Sequence, residues 1–405
     1  MSNQYDFDKI ISRKDTDCAK WGVADGLFGE KDILPMWVAD MDFPIAKEIT
    51  AAIKKRADHE IYGYAVPGSS AFEAVVTRMK KKYEWEIPSE WIVFTPGIVP
   101  ALYVAVKAFT HPGDEVVIQS PVYRPFWSAV KDNGCQVVNN QLKLIDDRYE
   151  IDFKDFENIF KFSRNPGLVP VSSRAKMMIL CSPHNPVGRV WNADELSKMG
   201  EIVTRNNGII VSDEIHAEIC FKGSKHIPFA SISTEFEQRS ITCVSPSKSF
   251  NLAGLGASAV IIPDSELRKN FNRAKTGIVP MVNCFGLSAL EAAYNHGDAW
   301  LQECLEYLHG NLNFIMKFCK KQIPKIRIIK PEGTYLVWLD CRDLGMDKMS
   351  LRELMRKKAR LGLEDGFTFG PGGEGFQRMN IACSRSMLEE AMTRLEAAVN
   401  SIDSS

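Results

Sequence analysis

Three stretches decide the fold: AKMMILCSPHNPVG (175–188), GIIVSDEI (208–215) and SITCVSPSKSFNLAGLG (240–256). Each opens on a short apolar, β-prone run and breaks at once into polar residues. Between the first two lies NADELSKMGEIVTRNN (192–207), which reads as a helix with Asn192 in N-cap position. Strand, polar turn and helix in repeated order predict an α/β domain with a mostly parallel sheet. In such sheets ligands sit outside the carboxyl ends of the strands, where these polar breaks fall.

The same rhythm extends in both directions. Upstream, WIVFTPG (91–97), EVVIQSP (115–121) and QVVNNQL (136–142) read as strands, alternating with helices over 99–110 and 125–134, and a further helix follows at 152–160. Pro100 falls in the first turn of its helix, a position proline tolerates. Helices over 45–60 and 71–84 flank a loop, IYGYAVPGSS (61–70), and ASAVIIP (257–263) adds a strand. In PMWVADMDFP (35–44), Trp37, Met41 and Phe43 read as core, with Asp40 and Asp42 flanking a methionine. Downstream the character changes. A helical stretch (285–321) precedes two strands split by Pro-Glu-Gly (325–340), a helix (350–361), the turn GPGGEG (370–375), a strand (376–383) and a last helix (386–401). This predicts a large mostly parallel-sheet domain over 51–285 and a small, discontinuous α+β domain from 1–50 and 286–405.

Composition excludes several classes. The chain has 405 residues with 50 Lys+Arg against 51 Asp+Glu, so no general field favours nucleic acid or an anionic membrane. No apolar run reaches the roughly 18 residues of a membrane span. The start, MSNQYDFDKIISRKD, lacks the apolar core of a signal peptide. Ten cysteines are scattered without a CxxC pair, and several sit inside apolar runs. That predicts free thiols in a reducing cytoplasm, with neither a disulfide framework nor a metal site.

The polar residues at the strand ends carry the candidate chemistry. Lys248 directly follows an apolar strand; it reads as a solvated loop lysine or as a Schiff-base lysine with a lowered pKa. Asp213 ends a buried strand, where a carboxylate needs a cationic partner or several donors; a turn or N-cap role is the plain alternative. Asn185, in SPHNPVG, is a side-chain amide on a turn, and His216 follows Asp213 by three residues. TPGIVPAL (95–102) places a glycine turn before a helix N-terminus, which suits a phosphate but is not a P-loop.

Taken in order, Gly97, Tyr123, Asn185, Asp213, Lys248 and Arg378 resemble the fold-type I pyridoxal-phosphate enzymes, the class I/II aminotransferase superfamily. The resemblance spans nearly the whole chain. Within the superfamily, WVADMDF, the GY loop, GIVPAL, SPVY, SPHNPVGRVW, SDEIHAE, SPSKSFNLAG, EGTYLVWLD and GFQRMNIAC resemble the cystathionine β-lyase or C–S lyase branch (the MalY/PatB and cystalysin type). That resemblance implies pyridoxal 5'-phosphate as cofactor, with Lys248 as its Schiff-base lysine and the carrier of the substrate Cα proton. It implies Asp213 on the pyridine nitrogen, Asn185 and His216 near the ring O3′, and Tyr123 stacked on the ring. It further implies a phosphate cradle of the Ile98 and Val99 N–H groups with Ser245, and Tyr64 reaching the cofactor of the partner in a homodimer. Arg378 resembles the clamp for the substrate α-carboxylate.

Two positions depart from the wider pattern. Many aminotransferases carry a phosphate-pairing arginine eight residues after the lysine; here that position is Gly256. Arg124 stands where a cystalysin-type relative has a second tyrosine, and reads as a surface charge or as a contact to the distal end of the substrate. The implied reaction is α,β-elimination of cystathionine, cysteine or related S-substituted cysteines to a thiol, pyruvate and ammonia. The alternatives are an aminotransferase, or a lyase with an additional regulatory protein-binding role.

Overall fold

A computed structural model describes residues 4–161 and 175–402. A seven-stranded sheet forms its centre: β1 (Ile92–Thr95), β2 (Glu115–Ile118), β3 (Gln136–Asn139), β4 (Ala175–Cys181), β5 (Ile209–Asp213), β6 (Ser240–Val244) and β7 (Ser258–Ile261). The spatial order is β1-β7-β6-β5-β4-β2-β3. Only β7 runs antiparallel to its neighbours. The middle strands are buried on both faces, which is why they read as continuous apolar runs rather than as alternation.

The helices that matter for the site follow the strands. α1 (Lys47–Ala57) and α2 (Ser69–Tyr83) precede the sheet; α3 (Ile98–Phe109) and α4 (Pro125–Lys131) follow β1 and β2. α5 (Ala193–Arg205) starts where its cap predicts. Asn192 Oδ1 accepts from the Glu195 N–H at 2.9 Å, and the Glu195 carboxylate accepts from the Asn192 N–H at 2.9 Å. This reciprocal capping box satisfies two otherwise orphaned donors.

The helical stretch expected over 285–321 is two helices, α6 (Cys284–His296) and α7 (Asp298–Gln322). The break falls at Gly297, where a Cβ would lie 2.4 Å from the Phe250 ring. A second sheet, antiparallel and ordered β8-β9-β11-β10, comprises β8 (Arg327–Ile329), β9 (Leu336–Asp340), β10 (Glu364–Asp365) and β11 (Phe376–Asn380). The helix expected over 350–361 is α-helical only at Lys348–Glu353 and continues as a π turn, Leu354–Lys358. α8 (Arg385–Asn400) closes the chain. Met41 and Phe43 are buried as expected, whereas Trp37 is only half-buried. Among the described residues no helix is long and apolar enough to cross a membrane.

Candidate active site

A cavity of about 380 Å³ lies where the topology predicts, at the carboxyl ends of β1, β4 and β5. The large sheet contributes Gly97, Ile98, Val99, Tyr123, Asn185, Asp213, His216 and Lys248 to its wall. Glu364 and Arg378 of the small sheet, with Trp37–Ala39, close the other side.

Lys248 sits in a four-residue helical turn after β6, Pro246–Ser249. Its Nζ donates to the Ala39 carbonyl at 2.6 Å. Burial lowers its pKa to about 8, and Arg378 acts in the same direction; Asp40 and Asp213 oppose. Asp213 is buried at the tip of β5, and its carboxyl accepts one hydrogen bond among the described residues, from the Ile215 N–H at 3.2 Å. Burial therefore raises its pKa to about 7. His216 is buried with its Nδ1 unpartnered among the described residues, and burial, followed by the charges of Lys248 and Arg378, holds its pKa well below the ordinary histidine value.

Arg378 is buried on β11. Nη1 donates to Asn185 Oδ1 at 3.1 Å and Nη2 to the Trp37 carbonyl at 2.6 Å, while Nε has no partner among the described residues. The Tyr123 phenol has a raised pKa, chiefly from burial and then from Asp213. Ile98 and Val99 form the first turn of α3, where backbone N–H groups have no intrahelical acceptor. The 37–42 segment is held from several sides. Asn380 Nδ2 donates to the Val38 and Asp40 carbonyls, each at 2.6 Å, and Tyr335 Oη donates to the Ala39 carbonyl at 3.0 Å. Asp40 pairs with Arg13 at 2.6 Å and Asp42 with Lys20 at 2.5 Å.

Two expected residues stand apart. Ser245 does not line the cavity: it caps the Lys248 turn, and its hydroxyl donates to the Ala257 carbonyl at 2.7 Å. Ser247 takes the place on the wall. Tyr64 is fully exposed on the loop before α2 and does not reach this cavity. Gly256 has φ +56°, and a Cβ there would lie 3.0 Å from the Pro96 carbonyl oxygen, so the backbone itself disfavours an arginine. Arg124 lines the wall, and its guanidinium has no ion pair or hydrogen bond among the described residues.

Sequence reasoning missed Glu364 and the backbone of 37–39. Glu364 is the register partner of Arg378 across β10 and β11, and its carboxylate lies 4.0 Å from Arg378 Nη2. Only knowledge of that pairing brings it to the site.

The chain resembles known proteins along almost its full length. It is 43% identical over 396 residues to the cystathionine β-lyase PatB of Bacillus subtilis (strain 168), spanning 97% of this chain and all of that one. The MalY protein of Escherichia coli (strain K12) is 30% identical over 401 residues, 98% of this chain and 100% of MalY. The crystal structure of cystalysin from Treponema denticola, which contains a pyridoxal 5'-phosphate cofactor, superposes with a TM-score of 0.93 at 36% identity, covering 98% of this chain and 99% of cystalysin. The signature of aminotransferase class I and II matches residues 31–395, which include every side chain on the cavity wall. The chain belongs to the class I and II aminotransferase family.

Proposed function

We propose that this chain is a pyridoxal-phosphate-dependent C–S lyase that cleaves L-cystathionine, L-cysteine or related S-substituted cysteines by α,β-elimination. The observation that carries this is one cavity holding a weakened amine, an under-partnered carboxyl and a half-committed guanidinium: Lys248, Asp213 and Arg378. The likeness to a cystathionine β-lyase adds the reaction class.

The residues fit the cofactor chemically. Asp213, destabilised as an anion by burial, suits a protonated ring nitrogen. The bare Nδ1 of His216 and the Asn185 amide suit a ring oxygen. The N-terminus of α3 suits a phosphate, through its free N–H groups and the helix dipole. The flat face of Tyr123 suits stacking on the ring. Bound there, pyridoxal phosphate supplies a sink for the electron pair left at the substrate Cα.

This chain's own residues do the rest. Arg378 holds the α-carboxylate, because a charged acceptor outcompetes the neutral oxygens of Asn185 and Trp37. Lys248 removes the Cα proton; its low pKa makes the free amine accessible near neutrality. The leaving thiolate takes a proton from Lys248 or from Tyr123, whose phenol burial keeps protonated. The remaining three-carbon fragment hydrolyses to pyruvate and ammonia. In a homodimer, Tyr64 reaches the partner's cofactor phosphate from its exposed loop. The cleft lies between residues 51–285 and a small domain of 1–50 with 286–405. The ten cysteines, all unpaired, suit a reducing cytoplasm.

The test is product identity. Purified, cofactor-loaded protein should release pyruvate, ammonia and homocysteine from L-cystathionine. An oxo acid formed from an amino donor, with no pyruvate or thiol from any cysteine derivative, would make it an aminotransferase instead.

A further inference from the structure

The cavity wall carries two charges that elimination does not require. Arg124 precedes α4 next to Tyr123, and its guanidinium has no hydrogen bond or ion pair among the described residues. Glu364 faces the same cavity. As the register partner of Arg378 it projects from the same face of the small sheet, because directly paired residues on antiparallel strands share a face. At 4.0 Å from Arg378 Nη2 its carboxylate is outside hydrogen-bond range, so it does not lock that guanidinium. Its side chain is 25% exposed and makes no hydrogen bond among the described residues. One cation without an ion pair among the described residues and one anion held only loosely, 4.0 Å from Arg378, thus line a single cavity with the α-carboxylate clamp.

We propose that Arg124 and Glu364 bind the distal end of the substrate, Arg124 its carboxylate and Glu364 its ammonium, so that the site selects S-substituted cysteines whose leaving thiol carries an amino-acid zwitterion. The proposal rests on the C–S lyase reading and narrows its substrate class. The planar fork of Arg124 suits a carboxylate, and Glu364 accepts from an ammonium. Glu364 also works against the wrong ligand. A distal carboxylate without an accompanying ammonium meets an anion beside the clamp, which disfavours simple dicarboxylic amino acids.

The experiment compares kcat/KM for pyruvate release from L-cystathionine, S-aminoethyl-L-cysteine, S-carboxyethyl-L-cysteine and S-methyl-L-cysteine, using cofactor-loaded wild type, Glu364→Gln and Arg124→Gln. Relative to S-methyl-L-cysteine, Glu364→Gln should lower the preference for cystathionine and the aminoethyl compound about tenfold, and not that for the carboxyethyl compound. Arg124→Gln should do the reverse for the two singly charged compounds and also lower the cystathionine preference. Ratios unchanged in both variants would overturn the proposal. So would a wild type that does not prefer cystathionine to S-methyl-L-cysteine, a readout that needs neither variant to fold. Pyruvate from S-methyl-L-cysteine keeps the lyase reading whatever the ratios; pyruvate from none of the four overturns both.

Discussion

Asp213 and Glu214 are adjacent carboxylates at the end of one strand, both buried, yet they live in opposite circumstances. Glu214 points into the core and accepts from Ser212 Oγ at 2.8 Å and the Phe229 N–H at 2.9 Å, and its other oxygen lies 2.8 Å from His226 Nε2. Asp213 points into the cavity with a single backbone donor. Two buried arginines repeat the contrast. Arg189 is bound on Nε by Glu332 at 3.0 Å, on Nη2 by Glu195 at 2.7 Å and on Nη1 by the Tyr149 carbonyl. Arg378 spends two nitrogens on neutral oxygens and leaves Nε bare. A buried charge is tolerated when its partners are complete; one left incomplete marks where a ligand supplies the missing partner.

The contrast can be broken by substitution. The largest effect belongs to Lys248: Lys248→Ala should lower pyruvate release at least about a thousandfold and abolish the absorbance of the lysine-bound cofactor, because the proton-transfer group and the covalent anchor vanish together. Full pyruvate release by that variant would sink the assignment. On the partnered side, Arg189→Met should reduce folding stability by about 3 kcal/mol, since it removes the cation of Glu195 and the donor of the Tyr149 carbonyl and leaves Glu332 only the Arg148 cation; denaturant unfolding measures this. Glu214→Gln should reduce it by only about 1 kcal/mol, because the amide keeps the shape and loses charge-assisted bonding. A Glu214→Gln variant as stable as wild type would remove the distinction drawn between the two carboxylates.

Much of this was legible in the sequence because a doubly covered parallel sheet writes its strands as apolar runs and places its chemistry immediately after them. That is why Asn185, Asp213 and Lys248 could be picked out and why all three line one cavity. The rest left no mark for a physical reason. The carbonyls of Trp37 and Ala39 act through the backbone, which any residue supplies. Glu364 reaches the site through strand pairing between segments whose spacing says nothing about register. The inward turn of Ser245, with Ser247 on the wall, depends on which hydroxyl caps a four-residue helix. The glycine at the 297 break is required by the Phe250 ring packed against it, a contact between distant segments.

The central claim, that Asp213 is a buried charge awaiting a cationic ligand, is open to one direct measurement. Its carboxyl titrates near 3.8 when unfolded and is raised to about 7 in the folded chain. Between those values the folded state holds the extra proton, so its destabilising effect grows as pH rises and is complete above about 7. The thermal midpoints of wild type and Asp213→Asn should therefore be compared at pH about 8, with and without pyridoxal phosphate. Without the cofactor the asparagine variant should melt higher. With it, wild type should gain more and the order should reverse, because only the carboxylate pairs with a protonated ring nitrogen. A cofactor-free variant less stable than wild type, or an equal gain in both proteins, would contradict the account.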